Sequence, residues 1–378
     1  ELSHAAEDFG GLTDAMDLDG IVLRRISELS GDVRGLLETV TVAGAPIRAD
    51  QAATVVGLQI SHDNVRELLG QHLLRIRSTT TGQQVEISHA RIRDSLLRGL
   101  PEPTKVKLHA GLARILEQDE TIDPERLAGH LFAAGEQERG WHFIRRAAAD
   151  AVETLAFARA VRLCRKLLDE SDPDEDEAWR LQCDLASALA NTGRYDEAVR
   201  YFDAGLRHAQ GDPPQGKLDI ALTVLWCLVV LFFRLYFPIR RRRPTDEKGT
   251  LLDLRYEKTL SLVYIDPLRM FLESLSLQKD LARHPVRSTP RGLEIWSFVS
   301  GVLAFSGLSF ALSRRILGRC NAVLDTTRDE EVLFCRFSDL LIKFSVGDWA
   351  AIPPLDGDLL QRNLDGGRFW HVSSYILY

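Results

Sequence analysis

Few side-chain sets in this sequence have both the types and the spacing that chemistry requires. The densest is His89-Ala90-Arg91-Ile92-Arg93, which puts an imidazole and two guanidiniums within five residues. The imidazole can donate to a phosphate oxygen, with Arg91 or Arg93 adding charge. The competing reading is an N-cap-like His89 that only orders its turn. The five cysteines, Cys164, Cys183, Cys227, Cys320 and Cys335, are odd in number, widely spaced and free of any Cys-x-x-Cys or Cys/His cluster. They read as small buried hydrophobes in a reducing compartment, not as a metal site or a disulfide framework. No Gly-x-x-x-x-Gly-Lys-Ser/Thr occurs to cradle a triphosphate, and the pairs Gly10-Gly11 and Gly366-Gly367 have no following lysine. Kinase signatures, Gly-x-Ser-x-Gly and His-Glu-x-x-His are also missing from the sequence. The chain is therefore expected to carry no catalytic residue, no metal and no cofactor of its own.

Whatever positions these groups must be built from 378 residues, too many for one core, so two or three domains are expected. A hydrophobic content of 45% and a charged content of 27% are those of a globular protein, not a disordered one. The net charge of −7 argues against a broad polyanion-binding surface. No signal peptide follows Glu1, and both ends read as cuts within a longer chain.

Helical spacing comes first. Leu18, Ile21, Val22, Ile26 and Leu29 mark one amphipathic helix, broken by Ser30-Gly31-Asp32. Val33, Leu36, Leu37 and Val40 mark a second, ending at Gly44-Ala45-Pro46. A third covers Asp50 to Val56, and Ser61 is placed to cap a fourth carrying Val65, Leu68 and Leu69. The period then changes to two. Leu74 and Ile76 alternate with Arg75 and Arg77, and Val85 and Ile87 alternate with Glu86 and Ser88 across a Ser78–Gly82 loop. That pattern is a β-hairpin, and helices followed by one hairpin make a winged-helix-like module over 1–100. A DNA-reading role for it is not expected, because its fourth helix sets Asp63 and Glu67 against Arg66 alone.

Beyond Glu102 the sequence reads as helical throughout. Pro103 suits a first turn, and Leu108, Leu112, Ile115 and Leu116 form one apolar face. Asp123-Pro124-Glu125 is a helix start, while Ala134-Gly135-Glu136 and Asn191-Thr192-Gly193 are turns. Asp169 to Glu177, with seven carboxylates in nine residues, reads as a solvated loop. Gln182 to Gln210 matches the spacing of a tetratricopeptide unit: Leu185-Ala186-x-x-Leu189, the turn Gly193-Arg194-Tyr195, and Ala198-x-x-x-Phe202. Small Ala186 and Ala198 let the paired helices approach, and Leu185, Leu189 and Phe202 fill the seam. Gln182 and Gly205 depart from the pattern, and Ala160-x-x-x-Cys164 and Gly347-Asp348-Trp349 are weaker copies. The expected fold is mainly α: the winged-helix-like module, tetratricopeptide-like repeats over 101–237, a basic linker over 238–250, and further repeats of an α-solenoid over 251–378. Ile220 to Phe233 is an uncharged apolar run, followed by Arg240-Arg241-Arg242-Arg243. A span needs about 20 apolar residues, so a buried core helix is expected, with membrane attachment as the alternative. Trp141, Trp179, Trp226, Phe305, Phe310 and Phe334 are likewise expected in the core.

The runs Leu36-Leu37-Glu38-Thr39-Val40-Thr41-Val42-Ala43-Gly44, His89-Ala90-Arg91-Ile92-Arg93-Asp94-Ser95-Leu96-Leu97 and Arg126-Leu127-Ala128-Gly129-His130-Leu131-Phe132-Ala133-Ala134-Gly135 carry a resemblance. From about Ile21 to Leu206 the chain resembles the large bacterial STAND-type signal-transduction ATPases, often fused to a serine/threonine protein kinase. Ala90 departs from the usual acidic residue. The resemblance implies a cycle in which ATP and ADP in a nucleotide-binding domain, which this sequence lacks, reposition the winged-helix module. It implies that His89, with Arg91 and Arg93, contacts nucleotide in the full-length parent, and that the repeats sense a protein or small-molecule ligand in the cytoplasm. The readings weighed against it are a winged-helix transcription regulator with a repeat effector domain and a membrane-attached repeat adaptor.

Overall fold

A computed structural model describes residues 24–377, apart from 25, 59–61, 80–81, 211–215, 238–242 and 290. Most of the expected first helix, with Leu18, Ile21 and Val22, and the expected cap Ser61 lie outside the described residues. The chain is mainly helical, with 18 helices and one two-stranded sheet among the described residues. It forms two compact units, 1–153 and 154–378.

The first unit contains α1 (Gly31–Ala43), α2 (Ala49–Val55) and α3 (His62–Gly70). Ser30 caps α1 by accepting the Val33 amide on its hydroxyl at 3.4 Å. Gly44, at φ +70°, ends the helix in the left-handed conformation that glycine adopts without a Cβ penalty. Strands β1 (Leu74–Thr79) and β2 (Gly82–Ile87) pair antiparallel with Leu74 opposite Ile87 and Ile76 opposite Val85. The Ile47 amide donates to the Val85 carbonyl and the Ile47 carbonyl accepts from the Val85 amide, so the hairpin is tied to the segment after α1. Helices α4 (Ala90–Gly99), α5 (Glu102–Leu116), α6 (Pro124–Ala133) and α7 (Gln137–Glu153) complete the unit. Leu37 on α1, Leu68 on α3, Leu112 on α5 and Leu131 on α6 meet in a single buried core with Val85 of the hairpin. Residues 102–153, which the sequence groups with the repeats, fall in the same compact unit as the hairpin. Asp123 starts α6 as expected, accepting the Glu125 amide at 3.1 Å.

The second unit contains α8 (Phe157–Glu170), α9 (Glu175–Asn191), α10 (Tyr195–Gln210), α11 (Lys217–Tyr236), α12 (Asp246–Leu262), α13 (Pro267–Leu281), α14 (Gly292–Phe305), α15 (Phe310–Asn321), α16 (Asp329–Val346), α17 (Gly357–Asp365) and α18 (Phe369–Leu377). Many neighbours in sequence pack as neighbours in space; in addition α12 returns onto α10, α14 packs closely against α16, and α11 lies against α13 and α15. The acidic stretch is mostly not loop. Asp169 and Glu170 end α8, only Ser171–Asp174 is irregular, and Glu175 to Glu177 form the first turn of α9, where the helix dipole favours negative charge. Asp174 caps that helix at 2.8 Å. Two buried serine pairs fasten α14: Ser297 with Ser338 of α16 at 2.9 Å, and Ser300 with Ser313 of α15 at 3.2 Å. Each of these hydroxyls also has a facing backbone carbonyl within donating distance, so small buried polar groups are satisfied while the apolar helices meet at close range.

The apolar run departs from the expected core helix. In α11 only Cys227, Leu231 and Leu235 are buried, whereas Leu225 and Trp226 are 58% and 62% exposed. Phe305 is exposed as well, so of the expected core aromatics Phe334 is buried but Trp226 and Phe305 are not.

Candidate functional site

His89 is the N-cap residue of α4, with extended backbone, and its imidazole makes no capping hydrogen bond. Its carbonyl accepts the amides of Ile92 and Arg93, so the backbone alone orders the turn. His89 and Arg91 are exposed at the N-terminal end of α4. Arg93 is drawn inward: a Cβ on Gly44 would lie 2.9 Å from its Nη2, so its guanidinium rests against the C-terminal end of α1. Its Nε is buried with no hydrogen-bond partner. Arg126 acts on the same loop, donating to the carbonyls of Pro46 at 3.2 Å and Ala45 at 3.4 Å. Two guanidiniums therefore sit at the negative end of the α1 dipole. Glu86 is occupied by Arg75 at 2.9 Å and Arg77 at 3.7 Å. Of the three candidate contacts, His89 and Arg91 face solvent, and Arg93 is engaged by the fold.

The repeat residues lie together in one helical hairpin. Leu185, Ala186 and Leu189 of α9, and Ala198 and Phe202 of α10, are completely buried. Gly193 makes the turn at φ +79°. Tyr195 stacks on Tyr264 with ring centroids 4.9 Å apart, which ties the hairpin to the end of α12. Gly205 sits where a Cβ would come within 3.0 Å of the Cys183 sulfur, so the departure from alanine there matches a bulkier neighbour. All five cysteines are buried and unpaired as disulfides, and burial pushes Cys164 and Cys183 up to about 12.

Three features escaped the sequence. First, α12 carries a buried polar stripe. Lys258 reaches Glu273 at 2.7 Å and Asp203 at 3.0 Å, and Arg269 also meets Asp203 at 2.5 Å. Arg255 pairs with Asp280 at 2.9 Å, and Arg291 joins Glu257 at 2.8 Å and Glu294 at 3.0 Å while its guanidinium stacks over the Tyr256 ring. Beside them burial raises Asp253 to about 6, against the lowering effect of Arg291. Second, His109 and His130 face each other with Nδ1 atoms 2.9 Å apart in the first unit. Burial holds both imidazoles below their ordinary range, His130 down to about 4, where His109 and Arg126 add to the effect. Third, a groove of about 470 Å³ is lined by Asp329 and Arg336 of α16 and by Asp356 and Arg362. These four pair among themselves, Arg362 with Asp329 at 2.7 Å and Arg336 with Asp356 at 2.7 Å. Apart from Arg291 with Glu294, these pairings join residues at least fifteen apart, on or capping different helices, which leaves no local period for a sequence window to signal.

Among the described residues no three metal-ligating side chains converge. Gly211-Asp-Pro-Pro-Gln-Gly216-Lys217 has the glycine and lysine spacing of a phosphate loop but continues with Leu218, and it joins helix to helix with no strand before it. Residues 211–215 of it lie outside the described residues. Compared with known proteins, the chain matches no family model, no curated protein and no solved structure.

Proposed function

We propose that this chain is a regulatory and protein-interaction segment of a multidomain STAND-type signal-transduction ATPase or serine/threonine kinase. In this reading 1–100 is a winged-helix-like module, and the helical hairpins that follow are degenerate tetratricopeptide-like repeats of an α-solenoid in the cytoplasm. The repeats take a protein or small-molecule ligand, and the module reports nucleotide state through His89 and Arg91 to the chain's own nucleotide-binding domain. The observation that carries the reading is the exposed His89–Arg91 turn at the positive end of the α4 dipole. Its imidazole is exposed and makes no capping hydrogen bond among the described residues, which suits a phosphate contact supplied from outside. The buried α9–α10 seam supports the repeat half. The transcription-regulator reading is not adopted, because Asp63 and Glu67 occupy the helix that would enter a groove.

The test is nucleotide exchange in the full-length parent with and without residues 154–378. Deleting that unit is expected to speed ADP release several-fold. A parent that neither binds nor hydrolyses nucleotide overturns the proposal.

A further inference from the structure

Helix α11 is long and apolar enough to cross a bilayer by length and composition, at 20 residues and mean hydropathy 2.2 over its best window, yet only 17% of that window is buried. At 1.5 Å per residue it is about 30 Å long. One face is taken: Cys227, Leu231 and Leu235 sit in the core of the unit, and Arg319 donates to the Leu235 carbonyl at 2.5 Å. The opposite face, with Leu222, Leu225, Trp226, Val229, Phe232 and Phe233, is exposed.

What covers that face is indicated by its edges. A protein partner, including a second copy of this chain, is normally met by an apolar centre inside a polar rim, and a helix seam by charges on its flanks. The helix itself carries no charged residue between Ile220 and Phe233, and its exposed Lys217 and Asp219 are confined to the first turn, so the apolar face has no charged flank of its own along that length. Aromatic and arginine side chains gather at the C-terminal end. There Tyr236 and Phe237 are exposed, Arg315 of α15 stacks over the Tyr236 ring at 5.1 Å, and Arg234 lies within electrostatic reach of Arg283. Exposed Arg243 follows at the end of the Arg240–Arg243 run. Aromatics and arginines ending an apolar face are the composition of a membrane–water interface with anionic headgroups.

Spanning is opposed by the rest of the unit. A span would put α10 and α12 on opposite sides of the bilayer, whereas Asp203 of α10 is ion-paired with Lys258 of α12 at 3.0 Å and with Arg269 of α13. We infer that α11 stays docked on α13 and α15 and lies in the plane of an anionic bilayer, its Leu225–Phe232 face in the acyl region and its arginine end at the headgroups. The surface belongs to the second unit alone and does not depend on the nucleotide reading.

The experiment is co-sedimentation of the full chain with vesicles of phosphatidylcholine alone or with about 30% phosphatidylserine. Binding is expected to favour the anionic vesicles by at least about tenfold and to fall in high salt. Trp226 emission should shift to the blue on binding, and a Trp226→Phe control should lose that component. The pair Leu225→Glu and Phe232→Glu should abolish binding while leaving the helical circular dichroism intact, because both side chains point away from the core. Arg315→Glu should weaken binding to anionic vesicles while retaining the fold. Protease added to the bound complex should cut on both sides of α11. Failure to pellet with either vesicle overturns the inference. So does cleavage on one side only, which means a span, or a concentration-dependent dimer that the same glutamates dissolve without any vesicle binding, which means a second copy covers the face.

Discussion

At the scale of single residues, the most consequential groups are those buried with their charges matched or withheld. Lys258 shows only 3% of its side chain to solvent between Asp203 and Glu273. Removing Lys258 leaves the mostly buried Glu273 charged without it, while Asp203 keeps Arg269, so Lys258→Ala is expected to cost about 3 kcal/mol in urea unfolding of the chain, the lower end for a buried pair. The combined Lys258→Met and Glu273→Leu exchange should recover much of that, since it removes opposite charges together. His130 gives a pH prediction. Its folded pKa is near 4, below the ordinary histidine value of 6.5, so between those values the unfolded chain binds more protons than the folded one. Stability of the first unit therefore rises with pH across that window and is lost as pH falls through it. A drop from pH 7.5 to 5 should cost about 2 kcal/mol, and His130→Met should reduce that cost. Hydrogen exchange of α5 and α6 amides at the two pH values measures it. An unchanged difference in the variant would place the pH dependence elsewhere.

At the scale of elements, the sequence was most legible where one helix or hairpin carries its own period. The start of α1 at Ser30, its stop at Gly44, the start of α6 at Asp123 and the Leu74–Ile87 hairpin register all follow from local spacing and turn chemistry. The acidic Asp169–Glu177 stretch was misread because like charge opposes helix only in the interior. At the first turn of α9 the same charge meets the positive end of the dipole. Helix α11 was misread for a different reason: an unbroken apolar run has no polar face to show which side is buried. The α9–α10 seam is where pattern and packing agree most closely, and it can be tested directly. Phe202 is completely buried against that seam, so Phe202→Ala should destabilise the second unit by about 3–5 kcal/mol. Gly193→Ala, at a turn with φ +79° and open space around it, should cost only about 1–2 kcal/mol of backbone strain. Denaturant midpoints of the two variants check this order, and equal losses would mean that the turn governs the hairpin more than its seam does.

At the scale of the whole molecule, the question is whether the two units serve a third domain. The proposed role assigns to His89 a partner outside this chain, and that assignment separates two consequences that a structural residue would join. Within the chain, His89 is exposed and its side chain caps nothing, so His89→Ala should change stability by no more than about 0.5 kcal/mol, as surface substitutions usually do. In the full-length parent the same change would remove a charge-assisted bond to phosphate worth about 1.5–3 kcal/mol, which is on the order of ten- to a hundredfold in ADP affinity. Arg91→Ala should lower it too, because Arg91 is exposed at the same turn. Arg93→Ala should behave in the opposite way. Its guanidinium rests against Gly44 inside the fold, so its loss should lower the melting temperature of the isolated chain, whatever happens to nucleotide. The isolated chain itself should bind ATP no better than about millimolar by calorimetry, since no complete phosphate loop is present in the sequence. Melting curves of the three variants in the chain and ADP titrations of the same variants in the parent give six values. If His89→Ala melts early and leaves ADP binding unchanged, the turn is structural and the nucleotide role falls.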